Sequence, residues 1–398
     1  MFSVCMTSLF FIDNQCEMKI LYILRHNPWG IGGGCYASRN YLEAFCEILK
    51  GNEMEVLVCA EYLAHGKMRE LPNVHFIGVN ERKLVSKLLS PVTGEMHRFQ
   101  SVATKLLKAN HYDLCIFDHN CIAGSLVQLC KKQSVKTVVL NHNCEFEYYR
   151  DNHPSLLNRM LFLPVVKQNE RKAYLLCDCN IFLTKEDREL FGQLYGISTT
   201  VTVIGGCFLK KGERIETTVL KPFNKQKLKV VISGTIGNVQ NLDGINYFLN
   251  ELYPCVPKEM EVVIAGKNSP AELVERLKEF SNIELIANPR DMDAVLRDCD
   301  IFLCPTRLGG GMKLRVMDGL RNGLPVIAHK VSARGYSAFY ETGCLEAFKG
   351  KEDFEKILIK LIEDIKSSRI NKEDIVAHTI EELSFETAIV NLKAVKMF

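Results

Sequence analysis

The chain has 398 residues, 47% of them hydrophobic and 24% charged, with a formal net charge of +3. That length predicts two domains of ordinary size, and a charge so near neutral does not point to nucleic acid as a partner. No apolar run reaches the ~18 residues of a transmembrane helix, and 16 cysteines without paired spacing predict reduced thiols in a cytoplasmic protein, not disulfides or structural zinc.

Residues 1–17 lack the basic leading region of a secretory signal, so they read as a disordered extension, or as a start assigned too early, ahead of the strand opened by Met18. From there short apolar runs alternate with amphipathic stretches, the βαβ pattern of a parallel sheet covered on both faces. The predicted strands of the first half are KILYIL, EVLVCA, VHFIGV, DLCIFD, KTVVLN, NIFLT and VTVIGG. A helix through CYASRNYLEAFCEILKGN is expected to close on Gly51. Residues 207–227 are basic, have no period and contain Pro222, and so read as a linker. The alternation then restarts with LKVVISG, the helix NLDGINYFLNEL, EMEVVIAG, and a helix opened by Ser269 as cap and Pro270 in the first turn. NIELIA, DMDAVLRDC, IFLCP and LPVIAHK continue it, and from Lys351 the chain reads as helix. The fold class is therefore α/β, with two doubly wound Rossmann-like domains over 18–206 and 228–380 whose parallel sheets face a cleft. In such sheets ligands bind beyond the carboxyl ends of the strands.

Residues 306–329, TRLGGGMKLRVMDGLRNGLPVIAH, carry the strongest pattern. Pro305 ends a strand, Gly309, Gly310 and Gly311 form a loop, and a helix is expected from Met312 to Asn322, stopped by Gly323. Unpaired amides and the helix dipole favour an anion there, glycines let a phosphate approach, and Lys313 and Arg315 add charge suited to a diphosphate. Asp318 lies nearly on the face of Arg315 and suits neutral ribose hydroxyls. A flexible turn beside a solvated Lys/Arg pair is the alternative. Neither a P-loop nor a complete G-x-G-x-x-G occurs here.

ILRHNPWGIGGGCYASRN repeats the strand, glycine loop, helix order. Gly30 and Gly32 have the first two spacings of a dinucleotide fingerprint, with Glu61 as ribose acid, but Cys35 breaks the third. The other reading is a loop at Gly32, Gly33 and Gly34 facing the bound diphosphate across the cleft. His119 and His142 each follow a strand, and Glu145, three residues after His142, is the strongest candidate carboxylate on this side; imidazole can donate to or accept from ligand hydroxyls, or simply satisfy a backbone carbonyl. DCD at 298–300 imitates a metal motif at the wrong end of its strand, so no divalent metal is expected. Arg82, Lys83, Lys87, Arg98, Lys105 and Lys108 face one acid, Glu95, a pattern for anionic lipid headgroups or for a solvated helix face.

The segment around GGGMKLRVMDGLRNGLPVIA resembles the C-terminal signature of the nucleotide-sugar glycosyltransferases of family 4, or group 1, of the GT-B fold. Lys313, Arg315, Asp318, Gly323 and Pro325 fall on its positions. VISGTIGNVQNLDGINYFL is similar to the family's glycine turn and asparagine-opened helix, LNHNCEFEYYRD to its H-N-V-E segment, and ELSFETAIVNL to its final helix. The resemblance implies a donor site of Gly32, Gly33, Gly34, Gly234, Asn241, Arg307, Gly309, Gly310, Gly311, Met312, Lys313, Arg315 and Asp318, with His119, His142 and Glu145 near the sugar. It departs where Gly310 replaces the first of two glutamates, Asp318 shortens the second, and Thr235 and Asn241 replace an arginine and a lysine. It further implies residues 381–398 crossing back onto the first domain and a UDP- or GDP-linked donor with no separate cofactor. A saccharide acceptor carried on a lipid at the inner membrane face, and transfer with retention, complete the expectation. A nucleotide-sugar epimerase and a non-catalytic nucleotide-sugar-binding protein remain the other classes.

Overall fold

A computed structural model of the chain describes residues 18–394 apart from 31, 65–69, 81–89, 153–155, 214 and 216. The predicted extension 1–17, the basic residues Arg82, Lys83 and Lys87, and the side chains of Glu95 and Arg98 lie outside the described residues, whereas Lys105 and Lys108 are exposed.

The strands of the first half are β1 (Lys19–Leu24), β2 (Glu53–Cys59), β3 (Val74–Val79), β4 (Leu114–Asp118), β5 (Lys136–Asn141), β6 (Cys179–Phe182) and β7 (Val201–Ile204). They form one parallel sheet in the order β3-β2-β1-β4-β5-β6-β7. The second half contributes β8 (Lys229–Thr235), β9 (Glu261–Lys267), β10 (Ile283–Ala287), β11 (Ile301–Cys304), β12 (Val326–His329) and β13 (Leu345–Phe348), in the parallel order β10-β9-β8-β11-β12-β13. Helices cover both faces, so central strands bury every side chain, as Ile20 through Leu24 do, and read as unbroken apolar runs. In both sheets the strand order reverses at the first strand of the domain, which opens a crevice beyond β1 and β4 in one and beyond β8 and β11 in the other.

Boundaries shift where local hydrogen bonds decide them. The first helix, Gly33–Ile48, ends before Gly51: the Leu49 amide already donates to Phe45 O, and Gly51, at φ +95°, serves the turn beyond. Helix Ala271–Leu277 has Pro270 in the cap position, with no side-chain cap from Ser269. The stretch after Lys351 divides into Lys351–Lys366, Lys372–Leu383 and Phe385–Lys393, with Asn371 and Ser384 capping the last two. Residues 207–227 begin as core, not as a free tether. Cys207, Phe208 and Leu209 are buried, Asn40 Nδ2 donates to Phe208 O at 2.6 Å, and the Leu209 amide donates to Leu383 O at 2.7 Å. The Phe208 and Phe385 rings meet at 6.0 Å, which packs the last helix against this segment and the first helix of the N-terminal domain.

Candidate functional site

A cavity of about 700 Å³ lies between the carboxyl ends of the two sheets, a volume suited to a ligand of nucleotide-sugar size. Its N-terminal wall is built from residues that directly follow strands: Arg25 and His26 after β1, His119 after β4, and His142 and Asn143 after β5. His119 sits at φ +119°, a strained conformation for a residue with a Cβ, held as the chain turns from β4 into helix Asn120–Lys132.

These groups answer one another. His142 Nε2 hydrogen-bonds to Asp118 Oδ1, and the His142 ring stacks on His119 with centroids 4.2 Å apart. His119 Nε2 meets His26 Nε2 at 3.1 Å, one of the two carrying the shared proton. Glu145 Oε1 lies 3.2 Å from His119 Nδ1, off the line of a hydrogen bond, and Oε2 lies 3.5 Å from Arg25 Nη1. Burial, then the neighbouring His142, lowers His119 well below the ordinary histidine range; burial, then Arg25, takes His26 down to about 4. Both rings are therefore neutral near pH 7 and can donate or accept. Burial pushes Asp118 upward, but the charge and hydrogen bond of His142 outweigh it, and the carboxyl titrates below its usual value.

Glu170, in helix Leu156–Leu176, ties this wall together and has no signal in the sequence. Fully buried, it accepts from Asn120 Nδ2 at 2.9 Å, the Glu145 amide at 2.8 Å, the Phe146 amide at 3.4 Å and the Tyr195 hydroxyl. It thereby caps helix Glu145–Asn152 and fixes the loop that presents Glu145. Burial raises its carboxyl to about 7 in spite of those donors.

The C-terminal wall is the 309–311 loop and helix Leu314–Arg321, which begins two residues later than expected and leaves Lys313 in the cap position. Gly311, at φ +67°, comes so close to the other wall that a Cβ would lie 2.9 Å from His142 O. Gly310 and Gly311 line the cavity; Gly309 does not, because it lies against Gln240, 2.4 Å from where its Cβ would stand. Met312 accepts from the Cys207 amide at 3.1 Å, which pins the loop to the chain leaving the first domain. Lys313 is 8% exposed and Nζ donates to Gln240 Oε1 at 3.2 Å and Gly310 O at 3.1 Å. Arg315 Nη1 donates to Thr306 Oγ1 at 3.2 Å, beside Gly234, where a Cβ would come within 3.6 Å of the guanidinium. Neither cation has a carboxylate partner among the described residues. Burial, then Arg315, lowers Lys313 to about 8.

Asp318 opens onto the cavity and takes Arg321 Nε at 3.1 Å; burial raises its carboxyl, with Arg321 pulling the other way. Asn241 Nδ2 donates to Thr235 O at 2.8 Å, and its buried Oδ1 has no partner among the described residues. Gly32, Gly33 and Gly34 line the opposite side, with Gly33 facing Leu314 and Gly34 leaving room for the His26 ring. Arg307, like Gly309, is an expected donor residue that does not line the cavity. It turns away from the cavity to pair with Asp243 at 3.0 Å and to lie 4.6 Å over the Tyr247 ring. Asp298 caps helix Met292–Arg297 and pairs with Lys221 at 2.6 Å and Lys229 at 3.0 Å, remote from the cleft.

The family model described as Glycosyl transferases group 1 matches residues 229–364. A protein of Klebsiella pneumoniae, named only as an uncharacterized 44.6 kDa protein in the cps region, is 23% identical over 247 residues, which cover 58% of this chain and 60% of that protein. The chain thus spans less than two thirds of that relative. Among solved structures, sucrose-phosphate synthase from Thermosynechococcus elongatus superposes with a TM-score of 0.68 at 13% identity, covering 95% of this chain and 98% of that one. WaaG, a glycosyltransferase involved in lipopolysaccharide biosynthesis, gives 0.62 at 15% identity over 94% of this chain and 99% of that one. HepE of Anabaena, in complex with UDP and glucose, gives 0.62 at 14% identity over 95% and 99%. At these identities the likeness is one of fold. The match to the Glycosyl transferases group 1 model is confined to the second domain, and the chain has the two-domain GT-B fold that the resemblance implied.

Proposed function

We propose that the chain is a glycosyltransferase that moves a sugar from a UDP- or GDP-linked donor to a hydroxyl of a saccharide acceptor, in the biosynthesis of a cell-surface polysaccharide. One observation carries this reading: Lys313 and Arg315 face the cavity at the amino end of a helix and rest only on neutral oxygens. A buried cation without a counter-ion is costly, and a diphosphate docked against the Gly310–Gly311 amides would supply the missing charge. As the bond from anomeric carbon to phosphate oxygen breaks, negative charge grows on the departing diphosphate, and these two side chains stabilise it electrostatically without a divalent metal. The neutral His119 and the Asp118-bound His142, with Glu145, stand on the opposite wall, where the sugar would lie. The two walls approach each other closely at Gly311 and His142 O, and further closure of the domains on a bound donor would limit water, the competing acceptor. Asp318 would hold the ribose hydroxyls, and transfer would proceed with retention. All described cysteines are unpaired, which fits a reducing cytoplasm.

Labelled sugar nucleotides separate the classes. Slow donor hydrolysis that accelerates with a saccharide acceptor supports transfer; interconversion of donor sugars would assign an epimerase, and binding without turnover a non-catalytic module. Loss of transfer on adding a chelator would overturn the metal-free reading.

A further inference from the structure

Helix Leu156–Leu176 has two unlike halves. Its second half is held in the domain by Val166, Glu170, Ala173 and Tyr174, all buried. Its first half presents Leu156, Leu157, Met160, Leu161 and Val165 to solvent, each between 41% and 71% exposed. Leu156 and Met160 are four residues apart, as are Leu157, Leu161 and Val165, so they stand in two adjacent rows along roughly 15 Å of helix. Other exposed large apolar side chains of the described residues are scattered singly, as at Ile197 and Val239. A contiguous row of this kind marks a surface that is covered by something.

The charges indicate what covers it. Arg159, Lys167, Arg171 and Lys172 are the basic residues of this helix, and its one acid, Glu170, is fully buried. Lys167 Nζ reaches 5.0 Å over the ring of Phe146 in the neighbouring helix Glu145–Asn152. Tyr148 of that same helix lines the cavity and is itself exposed, so a single short helix joins the apolar rows to the mouth of the cleft.

We propose that the Leu156–Val165 face docks on an anionic lipid bilayer, its apolar rows entering the boundary of the acyl chains and its basic residues meeting the headgroups. A second copy of the chain would suit the apolar rows but would bring the same basic residues toward one another across a two-fold axis. The docking deepens the proposed function, because it would hold the cleft beside an acceptor carried in the membrane. Lipid binding is measured without donor or acceptor, so its failure would leave the transferase reading untouched.

The test is sedimentation of the full chain with vesicles of phosphatidylcholine alone or with about a third phosphatidylglycerol. The protein should follow the anionic vesicles and largely leave the neutral ones. Leu157→Asp with Leu161→Asp should weaken that binding by at least about tenfold, since burying two carboxylates in lipid is costly. Ile197→Asp, a change at a still more exposed apolar residue elsewhere, should bind as the parent does, and all variants should share its thermal midpoint. Lys167→Glu with Arg171→Glu, which leaves the apolar rows intact, should abolish the preference for anionic vesicles. Parent protein that stays in the supernatant with both vesicles would overturn the proposal, as would undiminished binding by the double aspartate variant. A parent dimer that this variant dissociates in equilibrium sedimentation would overturn it too, giving the face to a second copy.

Discussion

In the N-terminal wall of the cleft Asp118, His142, His119, His26, Glu145 and Arg25 are engaged with one another, while in the C-terminal wall Lys313 and Arg315 lean on an amide oxygen, a carbonyl and a hydroxyl. Both walls arise in the same way, from loops beyond the carboxyl ends of parallel strands at the point where strand order reverses. The first is a set of hydrogen-bonding groups whose orientation is already fixed, suited to hydroxyls. The second holds charge with no carboxylate in ion-pair contact among the described residues, the buried Asp187 acting on Lys313 only from farther away. That asymmetry assigns the anionic part of a ligand to one wall and its neutral part to the other.

The sharpest way to break this comparison is Lys313→Ala. It should lower turnover by about a hundredfold or more, on the scale of removing one preorganised charge-stabilising group, in donor hydrolysis and in transfer alike. Unchanged kinetics would mean that the unmatched cation serves no leaving group. A substitution on the other wall tests its interlocking. Glu170→Ala strands buried donors from Asn120, Tyr195 and two amides, and should cost about 3 kcal/mol or more in denaturant unfolding. Its folded carboxyl titrates near 7 against an ordinary value of 4.5, so folding takes up a proton between those values and stability falls as pH rises through that window. Glu170→Gln should retain most of the packing and remove that slope; a slope that persists would place the proton elsewhere.

A smaller effect follows from the Lys313 amine, lowered to about 8 by burial and by Arg315. Below that pH it is protonated and attracts the diphosphate; above it the charge is lost. Donor affinity should therefore fall as pH rises past about 8, approaching tenfold per unit because one proton is required. Lys313→Arg, which stays protonated, should flatten the profile in a titration calorimeter. A parental profile as flat as that of the variant would show that the cation does not meet the diphosphate.

How far these walls were legible in the sequence depended on range. The strands were read closely, KILYIL being β1 itself, because a strand buried on both faces is an unbroken apolar run. Gly310, Gly311, Lys313, Arg315 and Asp318 reach the cavity because their placement follows from adjacent elements, a strand end and a helix start. His26 was missed although it follows β1 as His119 follows β4 and His142 follows β5; the same rule, applied to the first strand, would have found it. Glu170 could not be found that way. It lies within a helix, 50 residues from Asn120 and 25 from Tyr195, and its function exists only after those elements pack. Gln240, which accepts from Lys313 across the domain, is of the same kind.

Arg307 provides the finest test, because sequence and structure disagree about it. Its place two residues before the glycine loop and the family resemblance both assign it to the donor, but in the fold it is spent on Asp243 and the face of Tyr247 outside the cavity. That pair is exposed to solvent, so Arg307→Ala should cost less than about 1 kcal/mol of stability. Donor affinity should change by less than about twofold, since the residue supplies no charge to the diphosphate and helix Leu314–Arg321 does not depend on it. Both quantities can be read together, as the thermal midpoint with and without a saturating sugar nucleotide. Should Arg307→Ala instead weaken donor binding as strongly as Arg315→Ala, the arginine must swing inward when the donor arrives. The C-terminal wall would then hold three cations for the diphosphate, and the contrast with the interlocked N-terminal wall would be greater still.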